Sequence, residues 1–290
     1  MTKKIFFAPN WGLSSEQMVD DYRHQTPESS GVWEDIEYTL DPNQADFLII
    51  QDSCNKNLWS HFGPEQRLYF SREALTPHEI TQYPSTECKH FSFWNDTGNL
   101  WVKWRYPSVH SGGVGYTYDE LMSQEPPTKS KNFSCILSDK EMNLGHMKRK
   151  NFTRTFINEH SDKLDLYGGV SFATKSLTNN DKRTGLNDYK YSLTFDNQNT
   201  IRNFFGTQFT DALLCWSVPF FWGGGNREFF PEKSFVYFNV DDYSEIDRLL
   251  TIVNDPNDYE NRLEAVSEAR QLILNKYNLW PTIKSAIDSL

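Results

Sequence analysis

The chain has 290 residues, enough for one large domain or for two domains of about 130–150 residues each. Its hydrophobic fraction of 38% and charged fraction of 23% indicate a globular rather than a disordered protein. The net charge of −10 argues against a general nucleic-acid binder, because binding to the phosphate backbone requires dense Lys and Arg.

Short apolar stretches alternate with polar or helical ones in the N-terminal half. Strands are predicted at residues 5–8, 47–50 and 66–70, and a helix capped by Ser14 or Ser15 is predicted over residues 14–25. Residues 92–118 are rich in Trp, Tyr and Gly and are expected to form irregular loops and short strands. No apolar run reaches about 18 residues, and the N-terminal run is too short for a signal peptide.

The sequence SQEPPTKSK at residues 123–131 joins the two halves. A double proline among polar residues makes a stiff, solvated connection, which is typical of a domain boundary. We therefore predict an N-terminal domain over residues 1–125, a C-terminal domain over residues 131–265 and a helical segment over residues 266–290.

The C-terminal half alternates more regularly. Strands are predicted at residues 133–137, 164–168, 189–195, 218–222 and 234–240, and helices at residues 148–160, 206–216 and 258–277. This alternation predicts βαβ units and a parallel sheet covered on both faces, hence an α/β fold. Ligands of such sheets bind beyond the carboxyl ends of the strands, so two such domains would place a ligand in the cleft between them.

The most informative stretch contains YKYSLTFDN at residues 189–197, FGTQFTDA at residues 205–212 and VPFFWG at residues 218–223. Its predicted order is strand, loop, helix, strand. The loop contains Asp196 and Asn197 and leads to a helix start, where free N–H groups favour an anion such as a diphosphate. The residues themselves therefore predict a nucleotide-binding domain.

The order of these segments, continued by FFPEKSFVYFNVDD at residues 229–242, is similar to the donor domain of the α-1,3-fucosyltransferase family, glycosyltransferase family 10. The match extends over about residues 131–245, and the chain resembles a divergent member. The resemblance implies a GT-B architecture, with two Rossmann-like domains and a cleft between them. It also implies inverting transfer of fucose from GDP-fucose to a glycan acceptor, without a bound metal.

Four residues are assigned to the donor site by the resemblance. Arg149 resembles the family's helix-start arginine, whose planar fork pairs with oxygens of the donor diphosphate; the alternative is a solvated charge in a basic run. Asp196 and Asn197 stand where the family has Glu-Asn near the nucleotide, and turn capping at a strand end is the alternative. Tyr189 begins the strand that resembles the family's aromatic-lysine-aromatic strand.

The chain departs from the family at Gly206, Thr207 and Gln208, which stand where the family has Thr-Glu-Lys. That glutamate binds ribose and that lysine binds phosphate in the family. Thr207 can still form hydrogen bonds and the backbone amides can still hold phosphate, so all three positions are assigned to the donor site. The missing charge leaves another donor open, for example UDP-xylose. Basic residues that could replace this charge are Lys175, which is assigned to the donor site, Arg202 and Lys190.

An inverting transfer requires a carboxylate that takes the proton of the acceptor hydroxyl as its oxygen attacks the anomeric carbon. The family places this base in the N-terminal domain, in a Gly-Glu-Asn context after a strand. Glu73 stands in the similar place here and is the predicted base. Its alternative role is a first-turn helix carboxylate or a partner of Arg72, and Asp96 and Glu87 are weaker substitutes as base.

Aromatic residues make up 15% of the chain, which leaves rings available for stacking on sugars. Asn10 and Trp11 follow the first strand and face the expected cleft, and Trp94 lies among the aromatic loops. We predict that these three residues contact the acceptor sugar, with core packing as the alternative for the rings.

No metal site is predicted, because the seven histidines form no HxH or HxxxH pair and no Asp-x-Asp motif occurs. The four cysteines lack a CxxC pair, so reduced thiols in an intracellular compartment are expected. Without a membrane stem, a microbial or viral enzyme of the cytosol is expected.

The leading interpretation is a glycosyltransferase whose partners are a nucleotide-sugar donor and a glycan acceptor, with no nucleic acid and no membrane span. Two alternatives stay open. One is the same chemistry with a different donor, as in a xylosyltransferase. The other is a carbohydrate-binding protein that has lost catalysis, which agrees with the missing Glu-Lys pair.

Overall fold

The computed structural model describes residues 2–10, 12–70, 86–91, 115–201, 203–224 and 228–290. The strands are β1 (Lys3–Phe7), β2 (Val32–Trp33), β3 (Ile36–Tyr38), β4 (Phe47–Gln51), β5 (Arg67–Phe70), β6 (Lys89–Phe91), β7 (Lys131–Leu137), β8 (Asp165–Gly168), β9 (Tyr189–Phe195), β10 (Val218–Trp222) and β11 (Val236–Tyr237). The helices are α1 (Ser15–Arg23), α2 (Tyr118–Ser123), α3 (Leu144–Glu159), α4 (Thr207–Leu214), α5 (Glu245–Asn254), α6 (Asp258–Leu272) and α7 (Leu279–Asp288). A π-helix, Ile273–Tyr277, joins α6 to α7.

The first sheet has the strand order β2-β3-β1-β4-β5-β6 and is parallel except for the β2–β3 pair. Ile5 of β1 lies opposite Tyr38 of β3 on one side and opposite Phe47 of β4 on the other. The chain therefore changes direction across the sheet between β1 and β4. In open α/β sheets, ligands bind at the carboxyl ends of the strands on either side of such a switch point.

Both faces of the first sheet are buried, as expected for parallel strands. Ile5 and Phe7 of β1 belong to a core cluster that also contains residues of α1 and α7. The alternating residues Phe6 and Ala8 belong to a second cluster on the opposite face. This alternation explains why residues 5–8 read as a continuous apolar run.

The second sheet is entirely parallel, with the strand order β11-β10-β9-β7-β8. Cys135 of β7 lies opposite Leu166 of β8 and Leu193 of β9. The chain steps from β7 to β8 and then crosses to the other side of β7 to form β9. The switch point of this sheet therefore lies between β7 and β9.

The C-terminal helix α7 packs against the first sheet rather than the second. Trp280 is fully buried, stands edge-on to Phe7 at 5.9 Å between ring centroids, and donates its Nε1–H to the Tyr22 carbonyl oxygen at 2.8 Å. Asn278 donates its side-chain amide to the Gln25 carbonyl oxygen at 3.1 Å. The last residues of the chain therefore complete the core of the N-terminal sheet.

The structure contains the predicted strands and helices, with differences at several boundaries. Ser14, not Ser15, caps α1, and its side chain accepts the Gln17 N–H. Helix α3 begins before the predicted residue 148, because Asn143 caps it by accepting the His146 N–H at 3.0 Å.

Two predicted elements of the C-terminal half differ from the expectation. The predicted strand at residues 234–240 is reduced to β11, and the predicted helix at residues 258–277 divides into α6 and the π-helix. The boundary stretch at residues 124–130 contains no helix or strand. Within the described ranges, no helix combines the length and apolar character needed to cross a bilayer.

Candidate functional site

The carboxyl ends of β7 and β9 bring together the start of α3 and the loop that precedes α4. Ser138 follows β7, and Asp196 and Asn197 follow β9. Arg149 projects from the second turn of α3, and its Nη2 donates to Ser138 Oγ at 2.8 Å. The switch point of the second sheet is therefore bounded by a helix terminus and a buried cation.

Arg149 is only 5% exposed, which excludes the alternative of a solvated surface charge. Its neighbours in the basic run, Lys148 and Lys150, form ion pairs with carboxylates, whereas Arg149 forms none among the described residues. Its Nε is buried and has no hydrogen-bond partner in the described part of the chain. Burial lowers the pKa of Arg149, but a guanidinium stays charged at neutral pH. A buried cation with a spare donor suits an anion.

His146 lies in the first turn of α3, close to Arg149. Burial, and then the charges of Arg149 and Lys140, lower the pKa of His146 to about 4, so the ring is neutral at neutral pH. Its Nδ1 donates to Asn143 Oδ1 at 2.7 Å. Arg149 is therefore the cation that this part of α3 directs to the switch point.

Asp196 is buried, and its carboxylate accepts hydrogen bonds from two backbone amides. Oδ1 accepts the Gly206 N–H at 2.7 Å, and Oδ2 accepts the Gly224 N–H at 3.4 Å. A Cβ on Gly206 or Gly223 would collide with this carboxylate. These contacts agree with the alternative role of Asp196, which is to cap a turn at the end of a strand. Its carboxylate joins the loop after β9 to the loop after β10.

The first turn of α3 touches the loop after β9. Gly145 approaches the backbone of Asn197 so closely that a Cβ would overlap the Asn197 carbonyl group. Asn197 Oδ1 and Gln198 Nε2 are both buried and, within the described ranges, have no hydrogen-bond partner. Together with Arg149 Nε, they are three polar atoms for which burial is costly unless a further group binds them.

Gln208, the residue that replaces the family's lysine, bonds to the sheet. Its Oε1 accepts the Phe195 N–H at 3.0 Å and its Nε2 donates to the Ile136 carbonyl oxygen at 2.9 Å. The side chain thus satisfies backbone groups of β9 and β7 near their carboxyl ends. Both ends of the amide are already engaged in these contacts.

Lys182, which was not among the predicted site residues, contacts the start of α4. Lys182 Nζ lies 3.4 Å from Thr207 Oγ1 and forms an ion pair with the buried Asp211. Thr207 and Lys182 are separated by 25 positions and lie on different elements. No local pattern in the sequence could have indicated this contact.

Lys175 and Tyr189 are not brought together with Arg149. Tyr189 is the first residue of β9, at the amino edge of the sheet, and its hydroxyl donates to Asp165 Oδ2 at 2.6 Å. Burial raises the pKa of Tyr189. Lys175 Nζ lies 3.8 Å from Asp165 Oδ1, at the first residue of β8. Lys190, the other candidate cation, stands over the Tyr259 ring at 5.7 Å.

In the N-terminal half of the chain, Asn10 lies just beyond β1 and contacts the turn that follows β4. Its Nδ2 donates to the Gln51 carbonyl oxygen, and its Oδ1 accepts the Ser53 hydroxyl at 2.9 Å. Glu87 pairs with Lys56 at 3.4 Å on the surface. The other predicted residues of this half, Trp11, Glu73, Trp94 and Asp96, and also Arg202, lie outside the described residues. In the part of the chain that is described, no three His, Cys, Asp or Glu side chains form a metal-binding group.

Residues 126–264 match the family model of the glycosyltransferase family 10 (fucosyltransferase) C-terminal domain. A crystal structure of an alpha1,3-fucosyltransferase is similar over 99% of this chain and 90% of that chain, with 14% identity and a TM-score of 0.59. A structure of alpha1,3-fucosyltransferase with GDP-fucose covers 90% of this chain and 81% of that chain, with 16% identity and a TM-score of 0.52.

The DNA-modifying enzyme beta-glucosyltransferase is similar over 100% of both chains, with 10% identity and a TM-score of 0.53. At these identities the structural likenesses concern the fold, which is the GT-B arrangement of two domains around a cleft. None of the curated protein sequences matches the chain significantly.

Proposed function

We propose that the chain transfers a sugar from a nucleotide-sugar donor to a glycan hydroxyl and inverts the anomeric centre of that sugar. It is a family-10-type glycosyltransferase, because residues 126–264 match the C-terminal domain of glycosyltransferase family 10 and the chain has a GT-B fold. The observation that carries this proposal is the buried guanidinium of Arg149 at the β7–β9 switch point. Its Nε lacks a partner among the residues described, so the site has a charged donor in reserve.

The donor diphosphate binds against Arg149. A planar guanidinium can donate two parallel hydrogen bonds to phosphate oxygens, and burial strengthens the attraction because water does not screen it. Asn197 Oδ1 and Gln198 Nε2, which also lack partners in the described ranges, provide an acceptor and a donor for the rest of the nucleotide. As the bond from the anomeric carbon to phosphate breaks, Arg149 stabilises the negative charge that develops on the leaving diphosphate.

The acceptor hydroxyl attacks the anomeric carbon from the opposite side, and Glu73 takes its proton. A new bond forms between the acceptor oxygen and the anomeric carbon while the nucleoside diphosphate departs. One displacement inverts the configuration. The role of Glu73 as the base rests on the sequence resemblance.

The donor is GDP-fucose or a UDP-sugar such as UDP-xylose. The family name supports fucose, and one structural neighbour is described with GDP-fucose. Another neighbour is described with uridine diphosphoglucose. The side-chain amide of Gln208 is hydrogen-bonded to Phe195 and Ile136, so it cannot replace the phosphate-binding lysine of the family. A UDP-sugar therefore stays a candidate donor beside GDP-fucose.

Isothermal titration with GDP, UDP and CDP tests the proposal on the purified chain. The variant Arg149→Met should weaken the preferred nucleotide by about 10-fold to 100-fold, since hydrogen bonds to charged groups contribute about 1.5–3 kcal/mol. Arg154→Met is the matched control, because Arg154 lies on the same helix but is exposed and stands over the Phe172 ring at 4.8 Å. Equal affinities in the two variants would contradict the role of Arg149.

Transfer itself is tested with Glu73→Gln. This variant should bind the nucleotide as the wild type does but transfer no sugar, because the amide cannot accept the proton. Transfer at the wild-type rate would show that another group is the base. Glycan binding without transfer from any donor by the wild type would favour the carbohydrate-binding alternative.

A further inference from the structure

The turn that follows β4 has an unusual backbone. Asp52 has a φ of +61°, in the left-handed region that non-glycine residues rarely adopt. The Ser53 N–H donates to the Gln51 carbonyl oxygen at 2.7 Å, across the single residue Asp52. This is a γ-turn with a positive φ at its centre, a form that is rare and strained. Such strain persists only where the surrounding structure holds it, and it is concentrated at functional sites.

Side chains from two other elements hold this turn. Asn10, beyond β1, bonds to both ends of the turn, since it donates to the Gln51 carbonyl oxygen and accepts the Ser53 hydroxyl. Tyr22 of α1 donates its hydroxyl to Gln51 Oε1 at 2.8 Å. The conformation of Asp52 is therefore imposed by contacts on both sides of it.

The turn occupies the place in the N-terminal sheet where a ligand is expected. It lies at the carboxyl end of β4, beside the switch point between β1 and β4. The Asp52 N–H donates to the carbonyl oxygen of Phe70, the last residue of β5. In the GT-B fold this edge borders the cleft, across from the edge that carries Arg149. Asp52 is 8% exposed, so its hydrogen bonds are largely shielded from water.

We propose that Asp52 is an acceptor-binding residue whose carboxylate accepts hydrogen bonds from hydroxyl groups of the acceptor sugar, and that Asn10 is the positioning residue that holds its turn. This rests on the proposed function. An ionised carboxylate is an acceptor with two oxygens, and a shielded site built for a sugar hydroxyl rejects analogues that lack it. Asn10, predicted as a direct sugar contact, thus acts through Asp52.

The variants Asp52→Asn and Asp52→Gly separate this role from a structural one. Asparagine and glycine both tolerate a positive φ, so each keeps the turn while the charge or the whole side chain is lost. We expect Asp52→Asn to keep the Tm of the wild type, because the amide keeps two hydrogen-bonding atoms in the place of the carboxylate oxygens. Asp46→Asn is the matched control, because Asp46 immediately precedes the same strand at its other end and accepts the Lys4 N–H at 2.7 Å.

Binding is measured on a glycan array with GDP or UDP present, and nucleotide affinity is measured separately by isothermal titration. Both Asp52 variants should bind the array about tenfold or more weakly while their nucleotide affinity stays the same. Asp46→Asn should match the wild type in both assays. Asn10→Ala should weaken glycan binding in the wild-type background but cause no further loss in Asp52→Gly, because the two residues act as one unit.

Three outcomes would overturn the assignment: unchanged glycan binding in Asp52→Asn, a Tm of Asp52→Asn several degrees below the wild type, or no glycan binding by the wild type with nucleotide bound. A wild type that binds no nucleotide would instead contradict the proposed function. The Tm of Asp52→Asn would still decide whether the charge of Asp52 supports the fold.

Discussion

The contact between Gly145 and Asn197 makes the donor site sensitive to a single methyl group. In Gly145→Ala, the new Cβ would lie inside 3.0 Å of the carbonyl carbon and oxygen of Asn197 and 3.0 Å from the Gln198 backbone nitrogen. Backbone atoms cannot rotate away, so α3 and the loop must separate. Overpacking of this kind costs about 1–3 kcal/mol, which we expect as the loss in the free energy of unfolding.

The same displacement moves Arg149 relative to Asn197, because Arg149 follows Gly145 by one helical turn on α3. Lengthening one charge-assisted hydrogen bond by part of an ångström should weaken nucleotide binding by about tenfold. Urea unfolding measures the stability, and isothermal titration with GDP and UDP measures the affinity.

Gly169→Ala is the control, since Gly169 follows β8 at the same edge of the sheet and its Cβ would meet the Asp139 backbone nitrogen at 3.7 Å. An ordinary contact of this length should change the stability by less than about 0.5 kcal/mol. If Gly145→Ala proves as stable as Gly169→Ala and binds nucleotide equally well, the packing of α3 on this loop is refuted.

Three further predictions concern the supporting structure. The pKa of His146 falls from 6.5 to about 4 on folding, so the stability that the neutral ring contributes is complete above pH 6.5 and is lost as the pH falls toward 4. In urea unfolding, His146→Gln should therefore reduce the change in the free energy of unfolding between pH 6.5 and pH 4. Gln208→Ala should lower the free energy of unfolding by about 1–3 kcal/mol, because it removes the partners of the Phe195 amide and the Ile136 carbonyl. Trp280→Ala should cost about 3–5 kcal/mol and open α7 to limited proteolysis. An unchanged pH dependence in the first variant, or wild-type stability in the others, would contradict these contacts.

The fold class could be predicted from the sequence, and the structure confirms it. Buried parallel strands read as short apolar runs between helices, as in β1 and β10, and this alternation predicts a parallel sheet. Boundaries were less predictable, because caps and helix type depend on single contacts. Asn143 extends α3 toward the N-terminus, and the π-helix interrupts the helical pattern after α6.

For the site, the sequence predicts the position of a residue only where that position follows from its place in the chain. Arg149 and Asn197 lie on adjoining segments at the carboxyl ends of β7 and β9, since Gly145 of the same helix contacts the Asn197 backbone. Tyr189 and Gln208 were assigned to the donor, yet they bond to the protein itself. A polar side chain near a strand has the same pattern whether it contacts a ligand or a backbone group.

Contacts between distant segments left no local signal at all. Lys182 reaches Thr207 from 25 positions away, and Asn10 reaches Gln51 from 41 positions away. Neither separation along the sequence corresponds to a helical or strand repeat. The left-handed conformation of Asp52 is equally hidden, because Asp adopts ordinary extended or helical backbone in most contexts.

A crystal structure of the chain with its preferred nucleoside diphosphate would show where the donor binds. We predict that the diphosphate lies within hydrogen-bond distance of the Arg149 guanidinium, beside Asn197 and between the carboxyl ends of β7 and β9. A nucleotide bound at another place, or no binding of GDP, UDP or CDP at about 1 mM, would contradict it.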